Sequence, residues 1–221
     1  MSDGNQSELS WRDGIVPVST RFDDPYFSLN GGLDETRHVF LAGNDLPARL
    51  SRGFHVAELG FGTGLNLIAL AQIATVPIQF TSFEGYPMSR DELARAHAAF
   101  SGIEDLSQEL CAQWPMQQFQ LGQISVRILF GDVRETLPAW DQAADAWFLD
   151  GFSPAKNPEM WGEELMAQVG KHTADGGSFA TYTAAGHVRR ALQSAGFEVS
   201  RSPGFAGKRH MSRGIKTQLS A

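Results

Sequence analysis

The chain has a single cysteine, Cys111, among 221 residues. An internal disulfide is therefore excluded, and a reducing, cytoplasmic setting fits. Flanked by Leu110 and Ala112, Cys111 reads as a core thiol rather than a nucleophile. Long apolar runs are missing too. Each is interrupted well before the about 18 residues of a membrane span, so no transmembrane segment is expected. The first residues, MSDGNQSELSWRDG, carry neither a basic region nor an apolar core, and no secretory signal is expected there. The six histidines have no ligand spacing with cysteine or acids, so no metal site is expected. Ser153 and Ser178 lack the G-x-S-x-G setting of a hydrolase nucleophile. Internal repeats and low-complexity tracts are absent.

Positive charge is also scarce. Lysine and arginine number 18 against 25 acids, a net charge of −7, which argues against a strongly electrostatic nucleic-acid binder. The average hides an asymmetry. Residues 187–221 hold Arg189, Arg190, Arg201, Lys208, Arg209, Arg213 and Lys216 against Glu198 alone, leaving the first 186 residues strongly acidic. A basic end can grip a polyanion locally, or simply form a solvated face.

What is present suits one sizeable globular domain: 42% hydrophobic and 19% charged residues. Residues 1–50 lack a long helical period and read as a small N-terminal β extension packed on the main domain, residues 51–221. From residue 54 strand and helix signals alternate. FHVAEL, IQFTSFE, ISVRILF, DAWFLD and GGSFATYT read as buried strands. LNLIALAQIA, SRDELARAHAAF with Ser89 as N-cap, a short helix within 103–119, EELMAQVGKHT and AAGHVRRALQSAG closed by Gly196 read as helices. FEVSRS and KRHMSRGI complete seven strands as an antiparallel hairpin. The pattern predicts an α/β fold, a mostly parallel sheet with helices on both faces. Ligands of such sheets bind beyond the carboxyl ends of the strands, near the point where strand order reverses.

The strand ends carry the chemistry. After the first comes ELGFGTGLN, with Glu58, Gly60, Gly62, Gly64 and Asn66. Glycines at alternate positions let backbone approach a ligand and permit positive φ. The G-x-G-x-G spacing fits the dinucleotide fingerprint G-x-G-x-x-G poorly. Glu84 ends the second strand, where a carboxylate can accept both hydroxyls of a ribose. Asp132 follows the third strand behind Gly131, and Asp150 ends the fourth, opening DGFSPAKNPEMW. Phe152 can supply an apolar wall or a stacking plate there, and Pro154 and Pro158 stiffen the loop. Lys156 can meet a phosphate or snorkel from the loop. Trp114 and Trp161 read as core residues.

The strings ELGFGTGLN, DAWFLDGFSPAKNPEMW, GFAGKRHM and FDDPYFS…GLDETRHVFL closely resemble the methyltransferase domain of the MnmC family of bifunctional tRNA-modifying proteins. The resemblance runs from about residue 17 to residue 214. It implies a class I, Rossmann-like methyltransferase using S-adenosylmethionine. It further implies that Glu58, Gly60, Gly62, Gly64, Asn66, Glu84, Asp132 and Asp150 form the cofactor site, with Asp132 near the adenine. Asp150 and Phe152 would face the methyl acceptor, and Phe152, Lys156, Lys208 and Arg209 would contact the substrate. The expected substrate is the exocyclic amine of 5-aminomethyl-2-thiouridine at the tRNA wobble position, in the anticodon region. A separate enzyme would supply that amine, since the flavin oxidase of full-length members is expected to be missing from this chain. Three other classes share some of these features: a methyltransferase for a small amine, a nicotinamide or flavin oxidoreductase, and a non-catalytic tRNA-binding module.

Overall fold

The structure is a computed structural model and describes residues 7–28 and 31–217. Three short strands come first: β1 (Leu9–Arg12), β2 (Val16–Ser19) and β3 (Asp24–Pro25), an antiparallel sheet in that order. The next segment, expected to be part of a β extension, is helical. It contains α1 (Gly32–Thr36), one π-helical turn (Arg37–Leu41) and a 3-10 turn (Ala42–Asn44). Leu33, Val39, Phe40 and Leu41 are buried in the main core, and that tertiary burial outweighs the lack of a long periodic signal.

The main unit alternates as anticipated: β4 (His55–Leu59), α2 (Leu65–Ile73), β5 (Ile78–Glu84), α3 (Arg90–His97), α4 (Glu104–Gln113), β6 (Gln118–Leu121), β7 (Ile124–Phe130), α5 (Val133–Thr136), β8 (Ala144–Leu149), α6 (Glu163–Lys171), β9 (Thr173–Thr181), α7 (Gly186–Ser194), β10 (Phe197–Pro203) and β11 (His210–Lys216). Ser89 caps α3 in a reciprocal capping box. Its hydroxyl accepts from the Glu92 amide, and the Glu92 carboxylate accepts from the Ser89 amide. Gly196, at φ 94°, follows α7.

The sheet has eight strands in the order β10-β11-β9-β8-β4-β5-β7-β6. Its centre is parallel, and β10, β11 and β6 run antiparallel to their neighbours. The strand beyond the expected seven is β6. Its QFQL sequence forms a tight hairpin with β7 at the sheet edge. Side chains alternate between two cores. Along β8, Ala146 and Phe148 join Phe80, Leu67 and Ile68 on one face, whereas Trp147 and Leu149 join Phe83, Leu165 and Phe179 on the other. Both faces are covered, so every residue of β4 is buried. Cys111, Trp114 and Trp161 are all buried, and no helix of the described residues is long and apolar enough to cross a membrane. Strand order reverses between β4 and β8, which places the switch point between Gly60 and Asp150.

Candidate active site

A cleft of ≈ 730 Å³ opens at that switch point, within the range of small-molecule sites. Its floor is the loop joining β4 to α2. Gly60, Gly62 and Gly64 lie at φ 83°, 55° and 71°, which a side chain would strain. A Cβ on Gly60 would sit 3.3 Å from the Gly151 Cα, and one on Gly62 would sit 3.2 Å from the Tyr26 ring. The two strand-end loops therefore approach each other backbone to backbone. The Gly62 amide donates to Glu84 Oε2 at 2.8 Å, and the Tyr86 amide donates to Glu84 Oε1 at 2.6 Å. Burial raises the Glu84 carboxyl, and these backbone donors oppose the rise.

Asp150 is tied down at both oxygens. Oδ1 accepts from the Gly151 amide and Oδ2 from Asn66 Nδ2, each at 2.8 Å. Burial pushes its carboxyl up to about 6, against the pull of those hydrogen bonds. Asn66, on the first turn of α2, is the hub. Its Nδ2 also donates to Glu58 Oε1 at 2.8 Å, and its Oδ1 accepts from the Thr36 hydroxyl at 2.9 Å. Ser82 donates to the other oxygen of Glu58 at 2.6 Å.

The loop from Asp150 to Trp161 is fastened to the N-terminal segment. Phe152 stacks on Phe22 with ring centroids 4.7 Å apart and meets the edge of Tyr26 at 4.9 Å. The Ser153 amide donates to Asp24 at 2.8 Å, and Lys156 pairs with Asp23 at 2.6 Å. The Trp161 indole donates to the Phe152 carbonyl and the Tyr182 hydroxyl to the Gly151 carbonyl. Each fixed contact lowers the entropy lost when a ligand orders the loop.

Of the expected site residues, Gly60, Gly62, Asn66, Glu84, Asp132, Asp150, Phe152 and Lys208 line the cleft. Four do not. Glu58 is wholly buried behind the wall: it shares a sheet face with Ser82, its partner across β4 and β5, and α2 covers both. Burial raises its carboxyl well above the usual range. Gly64 begins α2 and packs against Phe61 and Leu110. The Lys156 ammonium is taken by Asp23, and Arg209 lies exposed on the loop between β10 and β11. Asp132 caps α5 and accepts from the Arg134 guanidinium, which pulls its carboxyl down. Arg134 bridges on to Glu159 at 2.8 Å.

Several lining residues were not anticipated: Phe22, Tyr26, Glu35, Thr36, Tyr86 and Tyr182. The first four come from the N-terminal segment, where aromatic density in FDDPYFS was the one available signal.

The donor set suits a nucleoside sulfonium. The glycine floor holds its backbone at positive φ along the cleft, where side chains would strain it and press on Gly151 and Tyr26. Glu84 keeps lone pairs for a ribose, and the carboxylates around it favour a cation. Residues 101–217 match a family model described as S-adenosyl-L-methionine-dependent methyltransferase. The chain is similar to the tRNA 5-methylaminomethyl-2-thiouridine biosynthesis bifunctional protein MnmC of Chromobacterium violaceum, at 43% identity over 95% of this chain and 34% of that protein. The protein of that name from Aromatoleum aromaticum is also 43% identical, over 94% of this chain and 35% of its own length. The chain thus spans about a third of these curated relatives. Among solved structures it resembles MNMC2 from Aquifex aeolicus, with a TM-score of 0.77 at 22% identity, covering 99% of this chain and 74% of the other. That likeness carries the fold.

Proposed function

This chain belongs to the S-adenosyl-L-methionine-dependent methyltransferase family, and on that premise we propose that it methylates the exocyclic amine of 5-aminomethyl-2-thiouridine, or its 2-oxo form, at the tRNA wobble position. The product is the 5-methylaminomethyl nucleoside. The observation that carries the reading is Asp150, a half-buried carboxylate held by Asn66 and Gly151 beside an aromatic wall at the edge of the glycine floor. The similarity to relatives named for 5-methylaminomethyl-2-thiouridine biosynthesis supplies the substrate class.

S-adenosyl-L-methionine, when bound, supplies an electrophilic methyl group on a cationic sulfur. Gly60 and Gly62 would hold its amino-acid part, Glu84 would accept from the ribose hydroxyls and Asp132 would serve the adenine end. Glu58 and Gly64 act behind them, one orienting Asn66 and the other setting the start of α2. Asp150 orients the acceptor amine and accepts its proton second. An aliphatic ammonium with pKa around 10 is unreactive until it loses that proton. Phe152 gives the uracil ring a flat wall, and Phe22 and Tyr26 hold Phe152 in place. The N-terminal extension would serve the methyltransferase domain by closing the acceptor side through Phe22 and Tyr26. Lys156, Lys208 and Arg209 would meet the anticodon region of tRNA, and a separate activity would install the aminomethyl group. The reaction is cytoplasmic in this scheme.

The experiment is nucleoside analysis of aminomethylated tRNA and of free small amines, each incubated with the protein and S-adenosyl-L-methionine. Methylation of tRNA alone supports the proposal. Methylation of small amines at equal kcat/KM without tRNA would replace it with a small-molecule methyltransferase.

A further inference from the structure

Glu35 is the one acid of α1 that lines the cleft. Its side chain is 13% exposed, and its Oε1 meets the Lys208 ammonium at 2.6 Å. Lys208 comes from the β10–β11 loop and lies 5.0 Å from the Tyr182 ring, whose hydroxyl holds the Gly151 carbonyl next to Asp150. The pair therefore joins the N-terminal helix to the last hairpin across the end of the cleft where Asp150 stands. Glu35 and Lys208 both act on Asp150, in opposite senses. Glu35 Oε2 accepts no hydrogen bond from the described residues, so a carboxylate oxygen is left for a ligand.

The chemistry of the acceptor gives that oxygen a task. A neutral primary amine carries two N–H bonds and one lone pair, and methyl transfer requires the lone pair to lie along the line of attack. One carboxylate fixes one N–H and leaves the nitrogen free to rotate. Two carboxylates on either side fix both.

We propose that Glu35 is a second hydrogen-bond acceptor for the substrate amine, so that Glu35 and Asp150 together direct its lone pair and restrict the reaction to one methylation. The inference rests on the proposed function of this site. The ammonium first loses a proton, which Asp150 accepts and passes to water at the cleft mouth, so that the carboxylate is restored before transfer. The nitrogen lone pair then forms the N–C bond as the C–S bond breaks and its electron pair goes to sulfur. A secondary ammonium and a neutral thioether result, and the ammonium proton passes to solvent. The product amine has only one N–H. It cannot satisfy both carboxylates, so its lone pair is not directed for a second transfer. Lys208 holds Glu35 in place before substrate arrives and limits repulsion between the two carboxylates.

The test begins with the wild-type protein and tRNA carrying 5-aminomethyl-2-thiouridine. Absence of methylation there would remove the functional reading itself, before any variant is made. Given activity, Glu35→Ala should lower kcat by about tenfold or more, with partial recovery in Glu35→Gln, which keeps an acceptor oxygen. Calorimetry should give S-adenosyl-L-methionine affinity within about twofold of wild type. The fraction of dimethylaminomethyl nucleoside should rise. A second readout needs no turnover: with S-adenosylhomocysteine present, the preference for an aminomethylated anticodon stem-loop over an unmodified one should fall in Glu35→Ala. Lys208→Met removes the partner that holds Glu35, so it should weaken binding of both stem-loops and lower the preference by less than Glu35→Ala does, since the carboxylate itself remains. Loss of cofactor affinity in Glu35→Gln would assign Glu35 to the cofactor site. Unchanged kcat and unchanged preference, or equal loss of preference in both the Glu35 and Lys208 variants, would reduce the pair to a strut and overturn the proposal.

Discussion

Replacing Asp150 with asparagine removes the charge at the centre of the site and keeps its shape. Burial raises the Asp150 carboxyl from its ordinary 3.8 to about 6. A raised folded-state value means that the group favours folding fully below about pH 4. That contribution is lost as pH rises through 6. At roughly 1.4 kcal/mol per unit, the wild-type free protein forfeits about 3 kcal/mol between pH 4 and pH 8 through this one group. Contact with cleft water trims the figure. Asparagine has no such dependence, but its Nδ2 cannot accept from Asn66, a loss of about 1 kcal/mol. The variant should therefore be at most about 2 kcal/mol more stable than wild type at pH 8 and about 1 kcal/mol less stable at pH 4. Urea unfolding of both proteins at pH 4, 6 and 8 measures this, and comparing the two largely cancels the titration of Glu58 and Glu84. A stability difference that is the same at pH 4 and pH 8 would refute the reading that desolvation in the fold holds the Asp150 carboxyl near 6. The same variant should lose methyl transfer while binding cofactor within severalfold of wild type.

Gly62→Asp should abolish S-adenosyl-L-methionine binding in calorimetry, because φ is 55° and the added Cβ meets Tyr26 at 3.2 Å; unaltered binding would take the glycine loop out of the cofactor site. The wild-type protein should gain about 2.7 kcal/mol of stability at a hundredfold excess of cofactor over Kd. Phe152→Ala should weaken binding of an aminomethylated stem-loop by about tenfold, the lower range of a base stack on an aromatic ring, and undiminished affinity would leave Phe152 a purely structural plate against Phe22. Arg209→Gln should reduce the salt slope of tRNA binding by about 0.7–0.9 units, one phosphate contact; an unchanged slope would return Arg209 to a solvated face.

The parts of the site set by local rules were legible in the sequence. Carboxylates at strand ends and alternate glycines marked Glu84, Asp150, Gly60 and Gly62 because backbone geometry alone puts them at one edge of a parallel sheet. The distinction between Asn66, which reaches the cleft, and Glu58, which lies behind it, was hidden. Every residue of β4 is buried, so hydrophobic alternation gives no hint of which face Glu58 takes. The contribution of Phe22, Tyr26, Glu35 and Thr36 was hidden for another reason. They reach the site through contacts with residues thirty to more than a hundred positions away, such as Thr36 with Asn66 and Phe22 with Phe152. The edge strand β6 escaped because four residues reading QFQL are too short and polar for a strand pattern, and pairing with β7 supplies what propensity does not.

The defining property of the protein is which amine it accepts. Two tRNA preparations, one carrying 5-aminomethyl-2-thiouridine and one carrying the carboxymethylaminomethyl form, should each be incubated with the protein and labelled S-adenosyl-L-methionine, then digested to nucleosides. Label should appear as 5-methylaminomethyl-2-thiouridine from the first and be absent from the second. The second amine is already substituted, and its carboxylate would lie near Asp150, where two carboxylates in a dry pocket cost several kcal/mol unless one is protonated or paired. Label in neither preparation, or equal labelling of the carboxymethylated form, would contradict the assignment of Asp150 as the group that receives a primary amine.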